Sequence, residues 1–191
     1  SVAIAIGSVA ETLARLCSDI CLYMTKELNF ISLDEEISTG SSIMPHKKNP
    51  DIFELVRAKC NNIKGLTNQL NMISTNLSSG YQRDMQLVKG KIIDGIESIK
   101  DCIEITTFSL KKIKTKDEIL SNKNYDFIFS VEKLNNLISD NGMSFREAYD
   151  KVSKSIKNGN YSRSKRNKHT LIGGIDNLCL NDIINKMKEN F

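Results

Sequence analysis

The two prolines of this chain, Pro45 and Pro50, lie close together, and the sequence on either side runs for long stretches without another. A proline removes a backbone donor and pushes its predecessor, here Met44 or Asn49, out of the α region. Gly40 adds a point where the backbone bends freely or approaches a ligand closely. The stretch Ser38-Thr39-Gly40-Ser41-Ser42-Ile43-Met44-Pro45-His46-Lys47-Lys48-Asn49-Pro50 is therefore expected to be a loop between two helices. It is dense in hydroxyls, free backbone N–H groups and adjacent lysines. Those groups suit a carboxylate, or a carboxylate acquiring a second negative charge.

Around that loop, apolar residues step by three and four, the spacing of helices packed along a seam. A first helix is predicted from about Val2 to Lys26, with Ile6, Val9, Leu13, Leu16, Ile20 and Tyr23 inward and Glu11, Arg15, Asp19 and Lys26 outward. A second starts after Pro50, with Asn49 or Asp51 to cap it, and carries Ile52, Val56, Ile63, Leu66, Leu70, Ile73 and Leu77 until Ser78-Ser79-Gly80 stops it. A third runs from about Arg83 to Ile113, with Val88, Ile92, Ile96, Ile99, Ile103, Thr106 and Leu110 on one side. Long helices with narrow seams predict an all-α bundle rather than a sandwich or a doubly wound sheet. The seams are longer than a monomeric 191-residue globule can cover, so part of them is expected to be buried against other subunits.

From Lys114 the predicted elements shorten to Lys116–Ser121, Phe127–Asp140, Ser144–Lys157 and Asn181–Lys188. Ser144 and Glu147 have capping-box spacing, and Asn141-Gly142 reads as a helix end. Two domains are expected: 1–113, the long-helix region with the loop, and 114–191, a small helical C-terminal domain. The second would pack on Phe127, Phe129, Leu134, Leu137, Phe145, Tyr149 and Val152.

Composition narrows the function classes. Hydrophobic content of 40% and charged content of 26% describe an ordinary globular protein, and a net charge of +4 fits an anionic small-molecule substrate without demanding one. Cys17, Cys21, Cys60, Cys102 and Cys179 lack disulfide-framework spacing and read as reduced thiols of a cytosolic protein. Cys17 and Cys21 share a helix face, where packing is a better account than metal binding. The basic stretch Asn158–His169 has no interleaved aromatics, so it reads as a solvated loop and not as a nucleic-acid surface. No apolar run approaches the roughly 20 residues needed to span a bilayer. There is no P-loop or dinucleotide fingerprint, and neither metal nor cofactor is expected. The chain has no initiator Met, lacks the basic start of a signal peptide and opens inside a helical pattern, so it is read as a fragment.

The order of residues in the loop says more. Gly40-Ser41-Ser42-Ile43-Met44-Pro45-x-Lys47-x-Asn49-Pro50 resembles the signature of the fumarase/aspartase superfamily at every fixed position. Asp51-Ile52-Phe53-Glu54-Leu55-Val56-Arg57-Ala58-Lys59 and Tyr81-Gln82-Arg83-Asp84-Met85-Gln86-Leu87-Val88-Lys89 are similar to its argininosuccinate lyase branch. The resemblance implies cleavage of argininosuccinate to arginine and fumarate, in arginine biosynthesis. It implies Ser41 as the catalytic base, used as its alkoxide, with Lys47 and Asn49 on the substrate carboxylate and Ser42 shaping the substrate-binding loop. Glu54 would orient a histidine contributed by an N-terminal portion absent from these residues. Tyr81, Gln86 and Lys89 would bind substrate, and Arg83 and Asp84 would serve capping and local pairing. The family pattern further implies a cytoplasmic homotetramer with active sites shared between subunits. Phe145-Arg146-Glu147-Ala148-Tyr149 and His169-Thr170 are similar to the family's C-terminal domain, whereas Ile172-Gly173-Gly174-Ile175 departs from its usual pattern. Sister lyases acting on adenylosuccinate, aspartate or fumarate share the signature loop, so the Tyr81–Lys89 run discriminates among them. A non-catalytic oligomer of the same architecture is the remaining alternative.

Overall fold

The structure, a computed structural model, describes residues 1–40, 44, 48–164 and 167–189. It is all-α in class, 66% helical, with only short strands among the described residues. Two compact units divide the chain, Ser1–Asp117 and Glu118–Phe191.

In the first unit, α1 (Val2–Tyr23) packs along α2 (Asp51–Lys64), and α4 (Gln86–Leu110) packs against both. The short α3 (Leu66–Ile73) follows α2. The buried residues of α1 are Ala3, Ile6, Ala10, Ala14, Cys17 and Ile20. Those of α2 are Phe53, Val56, Cys60 and Ile63, and those of α4 are Gly95, Ile99, Cys102, Thr106 and Ser109. This differs from the predicted seams. Val9, Leu16 and Tyr23 of α1 and Ile96, Ile103 and Leu110 of α4 are exposed. Small side chains let helix axes approach closely, and alanine, cysteine, serine and glycine share the inner stripe with Ile6, Ile20, Phe53, Val56, Ile63 and Ile99, of which all but Phe53 stand on the predicted seams. Val9, Leu16, Ile96 and Ile103 lie on a second stripe that this chain leaves uncovered. Gly95 is the clearest case: a β-carbon there would lie 2.7 Å from Cδ2 of Leu66.

The second predicted helix is not continuous. It breaks at Gly65, where Leu66 turns in to the space left by Gly95. α3 then ends at Ile73, earlier than predicted, because the Ser74 and Thr75 hydroxyls donate back to the carbonyls of Leu70 and Asn71 while Asn76 turns left-handed (φ 64°). The third predicted helix begins as a 3-10 turn at Arg83–Met85 and stops at Leu110. Beyond it, β4 (Ile113–Thr115) pairs antiparallel with β1 (Ile31–Leu33), where no strand was expected.

In the second unit, α5 (Ser130–Asn141) packs on α6 (Phe145–Lys157) through Leu134, Ala148 and Val152, and α7 (Leu180–Glu189) closes the described chain. The capping box at Ser144 and Glu147 forms, and Gly142 ends α5 with φ 63°. Phe127, Phe145 and Tyr149 are exposed instead of buried; Phe145 and Tyr149 stack on each other at 6.3 Å. The segment after Asn158 is held and not simply solvated: Lys133 donates to the Ser162 carbonyl, Asn136 donates to the Ser164 hydroxyl, and the Arg163 guanidinium lies 3.8 Å from the Phe129 ring centre. Lys165 and Arg166 lie outside the described residues.

Burial pushes the thiol of Cys17 up to about 11 and that of Cys60 up to about 12, so neither forms the reactive thiolate near neutrality. An aromatic disulfide reagent should therefore leave Cys17, Cys60 and Cys102 unmodified in the native full-length protein and label them only on unfolding. Labelling of any of the three in the native state would contradict the inner stripe. Phe53 is fully buried, and Phe53→Ala should lower the unfolding free energy by about 3–5 kcal/mol, read from denaturant titration.

Candidate active site

Of the residues assigned to the signature loop, Ser41, Ser42 and Lys47 lie outside the described residues. What is described is the stem that carries them. β2 (Thr39–Gly40) and β3 (Lys48–Asn49) pair antiparallel, Thr39 opposite Asn49 and Gly40 opposite Lys48, and Pro50 leads directly into α2. Gly40 needs no special conformation here: its φ is not positive, and no described atom lies within 4 Å of where its β-carbon would be.

A row of ion pairs surrounds the stem. Asp34, Glu35 and Glu36 each meet a different lysine: Asp34 pairs with Lys114, Glu35 with Lys48 at 2.9 Å, and Glu36 with Lys112 at 2.7 Å. Leu33 and Ile37, on either side of this acidic run, are buried in the main core. Thr39 donates its hydroxyl hydrogen bond to the carboxylate of Asp51, in the first turn of α2. That tie replaces the predicted cap, since Asn49 is in β3 and no described side chain caps α2. The hydrogen bond from Lys48 holds the Glu35 carboxyl below its usual value, and that from Lys114 does the same for Asp34. Carboxylates with depressed values contribute stability above the ordinary carboxylate range and lose it as pH falls through their lowered values. The Asp34 and Glu35 ties are thus intact at neutral pH and are lost as pH falls into acid. Sequence reasoning missed these ties. The readable signal was an acidic triplet before the loop facing alternating lysines, Lys112 and Lys114, after the last long helix.

Glu54 is exposed on the first turn of α2. Cys21 of α1 lies within electrostatic reach of Glu54 and of Arg57 one turn on. Asn49 is half-buried on the stem.

The second constellation is partly assembled. Gln86 donates a hydrogen bond from Nε2 to the Tyr81 hydroxyl at 2.5 Å, and Lys89, exposed, follows on α4. Arg83 and Asp84 form the 3-10 turn before α4 without capping it by a side chain. The described stem and this second constellation do not come together within the chain. α3 passes α4 with Leu66 at Gly95, Cys60 meets Cys102, and Glu36, just before the stem, pairs with Lys112 beyond the far end of α4. α2 and α4 are therefore antiparallel, with Tyr81 and Gln86 at one end and the stem at the other. At 1.5 Å per residue, the 25 residues of α4 put about 37 Å between them. Among the described residues, no group of three or more His, Cys, Asp or Glu side chains is placed to hold a metal ion. Among the described residues, no helix is long and apolar enough to cross a membrane.

Comparison with known proteins adds what the chain is similar to. A lyase family profile matches residues 1–65. The chain is 45% identical over 183 residues to the argininosuccinate lyase of Bacteroides fragilis, covering 96% of this chain and 41% of that protein. It is 43% identical over 189 residues to that of Bacteroides thetaiotaomicron, covering 99% and 42%. It thus spans about two fifths of the length of the curated relatives it matches. Among solved structures, it matches a class II fumarase from Schistosoma mansoni at a TM-score of 0.67 and 21% identity, over 82% of this chain and 32% of that one. An EDDS lyase in complex with formate matches at 0.65 and 22% identity, over the same shares. These structural likenesses show the fold alone. Over nearly its whole length the chain is similar to a stretch of argininosuccinate lyases, and its first third matches a lyase family profile.

Proposed function

We propose that the full-length protein is an argininosuccinate lyase, eliminating fumarate from argininosuccinate to leave arginine. The observation that carries this reading is the pairing of the complete signature sequence, Gly40 to Pro50, with a structured stem that returns directly into α2. Ser41 takes the Cβ proton. The electron pair passes toward the neighbouring carboxylate, then forms the carbon–carbon double bond of fumarate as the C–N bond breaks. The leaving guanidino nitrogen gains a proton. The hard step is the second negative charge on the carboxylate, which needs preorganised donors and a cation. Lys47 and Asn49 supply them, with the uncapped N-terminus of α2 adding its positive end beside Asn49. Ser42 shapes the loop around the substrate. Glu54, exposed on its turn, is free to orient a histidine from another part of the protein. Tyr81, Gln86 and Lys89 hold the polar groups of the substrate.

The separation of about 37 Å between the stem and Tyr81 supports active sites completed between copies of the chain. The uncovered apolar stripes, Val9 and Leu16 on α1 and Ile93, Ile96, Ile103 and Phe108 on α4, supply the surface for a tetrameric helix bundle. The second unit would serve as a small helical domain of that enzyme. Five free thiols fit a cytoplasmic location.

In the full-length enzyme, Ser41→Ala should lower turnover by about two to four powers of ten with little change in KM, because it removes the proton acceptor and leaves the binding groups. Lys89→Ala should lower kcat/KM by about ten- to a hundredfold, since a substrate carboxylate loses its charged partner. Steady-state assay of fumarate release reads both. Near-normal turnover in Ser41→Ala would remove the serine from the base role. Full-length protein that cleaves adenylosuccinate and leaves argininosuccinate untouched would overturn the substrate assignment.

A further inference from the structure

The stem is too short to set its own geometry. Two residue pairs do not make a stable hairpin, and a slip of one residue would exchange the faces on which Lys48 and Asn49 emerge. Something other than the backbone ladder must hold the register. Two side-chain ties stand where that is needed, and they cross. Thr39, on the outgoing strand, is bonded to Asp51, in the helix that follows the returning strand. Lys48, on the returning strand, is paired with Glu35, in the 3-10 turn that precedes the outgoing strand. Each strand is thus laced to the element flanking the other.

The 3-10 turn is itself fixed. Leu33 and Ile37 are buried in the core, Asp34 is paired with Lys114, and Glu36 with Lys112. Displacement of the returning strand is therefore opposed by the bundle. Because neighbouring side chains on a strand point to opposite faces, a lysine pinned at position 48 sets which way Asn49 points. The burial agrees: Lys48 is exposed toward Glu35, and Asn49 is half-buried.

Resting on the lyase reading for the role of Asn49, we infer that Glu35 and Thr39 are positioning residues that hold the signature-loop stem in register through Lys48 and Asp51. Such exposed ties contribute little to overall stability. Their effect falls on geometry, where a small misplacement of a substrate-binding group slows the chemistry strongly. A role limited to folding would instead show in the unfolding midpoint.

The test uses the full-length protein. Glu35→Ala and Thr39→Val should each lower kcat for argininosuccinate about tenfold or more, with the thermal midpoint nearly unchanged. Amide hydrogen exchange at Gly40 and Lys48 should quicken in both. Thr39→Ser, which keeps the hydroxyl, should restore wild-type kcat and exchange. The reversed pair, Glu35→Lys with Lys48→Glu, should restore exchange protection lost in Glu35→Ala. Wild-type kcat and wild-type exchange in Glu35→Ala and Thr39→Val would overturn the inference. So would a loss of activity that tracks a lowered thermal midpoint and is not rescued by Thr39→Ser. If the wild-type protein does not cleave argininosuccinate but exchange responds as described, the positioning role stands and the lyase reading fails. If it does cleave argininosuccinate and exchange is indifferent to both variants, the reverse holds.

Discussion

Where α3 passes α4, Gly95 has no side chain and Leu66 occupies the room a β-carbon would take. The same economy of side-chain size recurs along the seam, with Cys60 against Cys102 and with Ala10, Ala14 and Cys17 on the buried face of α1. Small residues bring the axes close enough for dispersion contacts to be dense, and they fix the antiparallel register of α2 and α4. From that register the rest of unit one follows. It puts the signature-loop stem beside Lys112, and it puts Tyr81, Gln86 and Lys89 at the opposite end.

Using small side chains inward has a second consequence. While Ile6, Ile20, Phe53 and Ile99 fill the core, other large apolar residues are left on the outer faces of α1 and α4, among them Val9, Ile93, Ile96 and Phe108. The same helices thus carry two apolar stripes, one for the chain itself and one that asks for a partner. The constellation split between the two ends asks for a partner too. One packing choice accounts for both.

Much of the architecture was legible in the sequence. Step-three-and-four patterning marked the long helices, Pro45 and Pro50 marked the break between them, and Ser144, Glu147 and Gly142 marked helix ends that form as read. What was not legible was which stripe faces inward. Periodicity weighs side chains by hydrophobicity, and on that scale Val9 and Leu16 outrank Ala10 and Ala14, although the closer packing belongs to the alanines. The stem was hidden for a related reason: Thr39-Gly40 and Lys48-Asn49 have no strand-like pattern and owe their pairing to charges and a hydroxyl from neighbouring elements. The signature motif named the chemistry of the loop, but not the lacing that holds its base.

The central claim is that one copy's signature loop works with another copy's Tyr81, Gln86 and Lys89. Mixing two impaired full-length variants, Ser41→Ala and Lys89→Ala, tests it directly once the subunits are dissociated and reassembled together. If each site draws Ser41 and Lys89 from different copies, about a quarter of the sites in an equal random mixture hold both native residues, and activity should recover toward that fraction. If both residues of a site came from the same chain, every site would carry one lesion. No recovery at any mixing ratio, with reassembly of mixed oligomers verified, would contradict the account.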